Sequence, residues 1–203
     1  MGTINALYAA RFHLCHIRQA NVGEVSLVNT HPYSRRLWDR TWSFAHNGEL
    51  ENLAGLDPGR NRPIGSTDSE LAFCWVLDQL KSIFPDRPAN TDTLGRLLQE
   101  QCDKLRRRGI FNMIMTDSRL LYAYCSTKMC WLTRRSPFGE ATLKDADMSV
   151  DFGKETTDRD VVTIVATAPL TEDEAWTHMA EGELCIIDNG EVTTLVPKDT
   201  RAH

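Results

Sequence analysis

Two helix signatures lie back to back in the middle of a chain whose other apolar segments have the length and alternation of β-strands. The first opens at Thr67-x-x-Glu70, a capping box in which Thr67 is the N-cap and Glu70 reaches back. Residues 71–77 are almost all apolar, so this helix is expected to be buried on most sides. The second starts near Thr91. Its Leu94, Leu97, Leu98 and Leu105 share one face, Arg106, Arg107 and Arg108 sit at its negative end, and Gly109 is the expected C-cap. Strand patterns precede the pair at 12–19 and 42–46, and follow it at 110–116, 120–125, 129–134, 161–168, 183–188 and 191–196. Asn189-Gly190 is a two-residue hairpin signal. Thr171-x-x-Glu174 predicts one further short helix, and 136–160 reads as a long polar loop. Strands, two helices, then strands is an α+β order. It excludes the strict alternation of a doubly wound fold.

Composition narrows the function classes. The 203 residues carry 23 basic and 28 acidic side chains, a formal net charge of −5, which gives no global attraction to nucleic acid or anionic membrane. Hydrophobic residues at 41% and charged residues at 25% match a globular domain, and the length suits a single one. No apolar run approaches the ~20 residues of a membrane helix. Residues 1–6 lack the order of an export signal. The six cysteines, Cys15, Cys74, Cys102, Cys125, Cys130 and Cys185, are loosely spaced with no C-x-x-C, and read as reduced, buried residues of a cytoplasmic protein. His13-x-x-His16 has no carboxylate or thiolate set beside it, so no metal site is expected.

Four short segments carry groups with chemistry. In His16-Ile17-Arg18-Gln19-Ala20, Arg18 ends an apolar strand. Its fork suits a carboxylate ligand or an internal salt bridge. Asn29-Thr30-His31-Pro32 reads as a turn. Phe44-Ala45-His46-Asn47-Gly48 ends in a hairpin dipeptide, yet 49–66 does not read as a returning strand. The other reading of Asn47 and Gly48 is a pair of donors for a developing oxyanion. In Ser66-Thr67-Asp68-Ser69-Glu70, Asp68 suits the helix dipole or a ligand ammonium.

In this order and spacing, the four segments closely resemble the class II glutamine amidotransferases, N-terminal-nucleophile enzymes, in their small stand-alone bacterial form. Phe111-Asn112-Met113, Ala123–Thr127 and Arg134–Gly139 extend the likeness over most of the chain. The resemblance implies a single domain over 1–203: an N-terminal-nucleophile sandwich of two antiparallel sheets flanked by helices, incomplete at its N-terminal end. It also implies a reaction. An N-terminal cysteine thiol, with its own α-amine as base, attacks the γ-amide of glutamine, ammonia leaves, and water hydrolyses the γ-glutamyl thioester. By position, Arg18 holds the α-carboxylate, Asp68 the α-ammonium, and the Asn47 side chain with the Gly48 N–H the oxyanion. The ligand is then glutamine or another γ-glutamyl small molecule, no cofactor is needed, and use of the ammonia requires a separate synthase partner.

One departure matters. Gly2 stands where the family has its cysteine, and Cys15, directly before His16, has no free α-amine. The family's opening strands and first glycine-rich loop are missing too. The expectation is a domain shortened at its front, inactive as it stands, with an apolar sheet edge exposed. Hydrolysis of a γ-glutamyl amide other than glutamine, or non-catalytic binding of a γ-glutamyl ligand, are the alternatives.

Overall fold

The computed structural model describes residues 13–16, 26–144, 148–151 and 159–197. Its first hairpin joins β1 (Tyr33–Leu37) to β2 (Arg40–Asn47) through Trp38 and Asp39, whose φ angles of 51° and 61° are those of a type I′ turn. The indole pins this unusual turn: Trp38 Nε1 donates to the Phe84 carbonyl at 3.1 Å, and its ring meets Trp42 edge-on at 6.0 Å.

The two helices follow, α1 (Asp68–Ile83) and α2 (Thr91–Arg106). Thr67 caps α1 by accepting the Glu70 N–H at 3.1 Å, and α1 is buried on most sides between Ser69 and Leu80, as its apolar run predicts. Asn90 caps α2, its Oδ1 accepting the N–H groups of Asp92 and Thr93 at 2.7 and 3.2 Å. Leu94, Leu97, Leu98 and Leu105 are buried together. The expected cap at Gly109 is not used. The C-cap is Arg107, and Arg106 turns aside to pair with Asp103 and Glu181.

Then come β3 (Asn112–Thr116), β4 (Leu120–Tyr124) and β5 (Cys130–Arg135). The stretch read as a loop contains a hairpin of β6 (Glu140–Leu143) and β7 (Met148–Asp151). The chain continues through β8 (Val161–Ala166), β9 (Thr177–His178), β10 (Leu184–Asp188) and β11 (Glu191–Val196). Asn189 and Gly190 make the predicted turn between the last two, at φ 51° and 79°.

Two main antiparallel sheets result, one of order β1-β2-β3-β4-β10-β11 and one of order β8-β5-β9, beside the two-stranded β6-β7 hairpin. The core lies mainly between the large sheet and the helices. There Phe44 stacks on Phe73 at 4.9 Å and Trp42 on Tyr122 at 5.9 Å, all fully buried. Strand β10 shows the period of two: Leu184 and Ile186 join this core, while Cys185 and Ile187 join a second cluster with Met129, Met179 and Trp131 toward the small sheet. The α+β sandwich is therefore as expected, with α1 and α2 packed on the large sheet. Among the described residues no helix covers the outer face of the small sheet, where Val162 is 43% exposed.

Two local expectations fail. Thr171–Glu174 is not a helix. Thr171 forms an isolated bridge with Leu143, and Glu174 is engaged by the Arg134 guanidinium and, at 2.7 Å, by the Thr171 hydroxyl. The strand expected over 12–19 is not formed at 13–16, and its remainder lies outside the described residues. The six cysteines are free, and all but Cys15 are buried. Among the described residues no helix is long and apolar enough to cross a membrane.

Candidate active site

Asn47 ends β2, and there the chain leaves the sheet. Gly48 has φ 146°, and a Cβ placed on it would lie 2.0 Å from the Ile110 carbonyl oxygen. Only glycine fits. The dipeptide is thus not a type I′ hairpin turn, and β2 pairs with β3 instead, Asn47 opposite Asn112. Residues 48–50 cross residues 108–110 at close range. Leu50 bridges Gly109, and Ile110 N–H donates to the Glu49 carbonyl at 3.1 Å. A Cβ on Gly109 (φ 150°) would lie 2.2 Å from that same Glu49 oxygen. The Asn47 side chain is exposed.

Asp68 is the first residue of α1 and half-buried. Its Oδ2 accepts the Leu50 N–H at 2.8 Å, which ties the helix start to the segment after Gly48. Its Oδ1 lies 3.3 Å from Ser69 Oγ. That hydroxyl is also 2.9 Å from Nδ1 of the buried His46, whose Nε2 is 3.0 Å from the Ile110 carbonyl oxygen. Burial holds the His46 imidazole below the ordinary histidine pKa, outweighing the Ile110 carbonyl and the Asp68 charge, which favour the cation.

The neighbouring segments brace this arrangement. Buried Asn29 accepts the Ser66 N–H at 2.9 Å, and Tyr33 OH lies 2.7 Å from Thr67 Oγ1. His16 donates through Nε2 to the His46 carbonyl at 3.0 Å, and its ring lies 4.1 Å from that of His31. Glu70 does not complete the capping box. Its carboxylate, 1% exposed, takes Arg35 and the N–H groups of Ile64 and Gly65 at 3.1 and 2.6 Å. So Asp68 is tied to the segment that directly follows Asn47 and Gly48, while Arg18 lies outside the described residues. Sequence reasoning missed Ser69, the Ile110 carbonyl and Arg35. A main-chain oxygen leaves no sequence signal, and Arg35 stands in a strand that the alternation did not reveal. Among the described residues, no three His, Cys, Asp or Glu side chains are grouped to hold a metal ion.

The family model of class II glutamine amidotransferases matches residues 5–203. The chain belongs to that family. Over 178 residues this amidotransferase-family chain is 49% identical to Escherichia coli (strain K12) YafJ, a protein named for glutamine amidotransferase activity, covering 88% of the chain and 70% of YafJ. A Haemophilus influenzae protein named in the same way is 40% identical over 178 residues, and the chain spans 60% of its length. The crystal structure of a predicted glutamine amidotransferase from Pseudomonas aeruginosa PA01 matches with a TM-score of 0.78 at 49% identity, over 88% of this chain and 70% of that one. The two-sheet architecture is thus shared with that solved structure.

Proposed function

We propose that these 203 residues form one domain carrying the glutamine site of a class II glutamine amidotransferase. Asp68 receives the substrate α-ammonium, Arg18 its α-carboxylate, and the Asn47 carboxamide with the Gly48 N–H the oxyanion formed when a thiol attacks the γ-amide. The observation that carries this reading is the 2.8 Å bond from Leu50 N–H to Asp68 Oδ2. It ties an anionic group at the start of α1 to the segment that directly follows Asn47 and Gly48, so the proposed ammonium acceptor and the proposed oxyanion donors are held by one stretch of chain.

Residues 1–203 supply binding and oxyanion groups in this reading, and hydrolysis needs an N-terminal cysteine placed against Asn47 and Gly48. The buried thiols do not substitute for it. Burial raises Cys74 to about 11 and Cys185 to about 12, so neither forms a thiolate near neutrality. Their free, buried state also fits a cytoplasmic protein. Released ammonia would pass to a separate synthase partner.

Calorimetric titration with L-glutamine tests the reading. Saturable binding is expected, weakened about tenfold or more in Asp68→Asn, because a hydrogen bond to a charged group contributes roughly 1.5–3 kcal/mol. Binding that is absent, or unchanged in Asp68→Asn, would refute it. A preference for another γ-glutamyl amide in the same titration would move the substrate within the class. Ammonia release by a form beginning with cysteine tests the catalytic half.

A further inference from the structure

The Ser69 hydroxyl has one proton and two acceptors in reach, His46 Nδ1 at 2.9 Å and Asp68 Oδ1 at 3.3 Å. The rest of the network decides which it serves. The Ile110 carbonyl oxygen, 3.0 Å from His46 Nε2, can only accept, so Nε2 carries a proton. The imidazole is buried beside Phe111, their ring centroids 4.8 Å apart, and burial disfavours a second proton. Nδ1 is therefore a bare acceptor, and the hydroxyl donates to it. The other carboxylate oxygen, Oδ2, is already taken by Leu50 N–H. Oδ1 is left with its lone pairs.

We infer that Ser69 and His46 are positioning residues that keep Asp68 Oδ1 open for a substrate ammonium, by directing the Ser69 proton to the imidazole and away from the carboxylate. This rests on the reading of Asp68 as the ammonium acceptor. Neither residue touches substrate in this scheme. They act through Asp68, and they also hold the turn of α1 against the end of β2 that carries Asn47 and Gly48.

The two histidine isosteres separate this role from simple packing. In His46→Gln the side-chain amide reaches the place of Nε2 and keeps a bond to Ile110, but offers nothing at Nδ1. The Ser69 hydroxyl then turns to Asp68. In His46→Asn an acceptor remains near the place of Nδ1. L-glutamine affinity is expected to fall about tenfold in His46→Gln. It should be retained within about threefold in His46→Asn, and recover most of the loss in His46→Gln/Ser69→Ala, where the competing proton is gone.

The carboxyl carbon resonance of Asp68, read by NMR without ligand at fixed pH, is expected to move in His46→Gln and to return in the double variant. Equal resonances and equal affinities in His46→Gln and His46→Gln/Ser69→Ala would overturn the inference. A resonance that moves and returns while no variant binds glutamine would support the hydroxyl's direction and overturn the ammonium role of Asp68. Wild-type glutamine binding with an unresponsive resonance would leave the glutamine reading standing and sink the positioning role.

Discussion

Replacing Glu70 by glutamine removes one charge and almost no volume, from a side chain that is 1% exposed. One carboxylate oxygen takes Arg35 and the Ile64 N–H, and the other takes the Gly65 N–H at 2.6 Å. An amide has a single acceptor oxygen. Set toward Arg35, it points its NH₂ at the Gly65 N–H, donor against donor. Turned the other way, it faces a guanidinium and the Ile64 N–H, which is worse. The variant therefore loses a charge-assisted bond and leaves the Arg35 cation without its counter-ion. Breaking a buried ion pair from one side costs about 3–5 kcal/mol. The Arg35 side chain is 18% exposed, so water reaches it and the lower end applies, about 3 kcal/mol. A domain of this size then melts roughly 6–12 °C lower. Urea denaturation followed by circular dichroism measures the loss as a lower midpoint at unchanged slope. The double variant Arg35→Met/Glu70→Gln should cost less than the sum of its parts, because the stranded cation is gone. A Glu70→Gln loss under about 1 kcal/mol, or strict additivity in the double variant, would show that the pair does not hold residues 64–65 against α1.

Gly48→Ala drives a Cβ to 2.0 Å from a carbonyl oxygen at φ 146°, so it is expected to cost at least about 1–3 kcal/mol in thermal denaturation and to weaken L-glutamine binding by shifting Leu50, whose N–H holds Asp68. An unchanged melt in that variant would contradict the crossing of 48–50 with 108–110. Asn112 is 2% exposed, and its Oδ1 accepts the N–H groups of Ser126 and Thr127 at 3.0 and 3.1 Å. Asn112→Ala should cost about 2–3 kcal/mol and speed amide hydrogen exchange at 126–128, and unchanged exchange there would reject the latch. His46 binds a proton less readily folded than unfolded, so the unfolded state gains protons first on acidification. Its contribution to stability is complete above the unfolded value of 6.5 and is lost as pH falls from there through the lower folded pKa. The midpoint in urea should drop over that window, and drop less in His46→Gln.

Much of the fold was legible because its signals are local. The Thr67 cap, the leucine face of α2 and the Asn189-Gly190 turn each depend on residues a few positions apart, and each formed as predicted. The misses share another cause. Strand β1 holds Arg35 at its centre, and that charge makes sense only beside Glu70, which comes 35 residues later. Its turn uses Trp38 and Asp39, a pair with no hairpin signature, held by an indole bond to Phe84. Thr171-x-x-Glu174 looks like a helix start, but Arg134 claims the glutamate from 40 positions away. In the site, the missing second arm after Asn47-Gly48 was legible, since glycines and prolines break the alternation. The 2.0 Å reason for it was not, because the obstacle is the Ile110 main chain.

The reciprocal contact of Gly48 and Gly109 bears on any attempt to re-engineer the site. Each glycine is confined by a carbonyl belonging to the other's segment: Gly48 by Ile110, and Gly109 by Glu49. A second mutation therefore cannot relieve the first, since enlarging both residues adds one collision to another. Saturation libraries that vary 48 and 109 together should return the parental pair even under relaxed selection. A graft from a homologue succeeds only when 48–50 and 108–110 travel as a single cassette, although nearly 60 residues of loop and helix separate them in the gene.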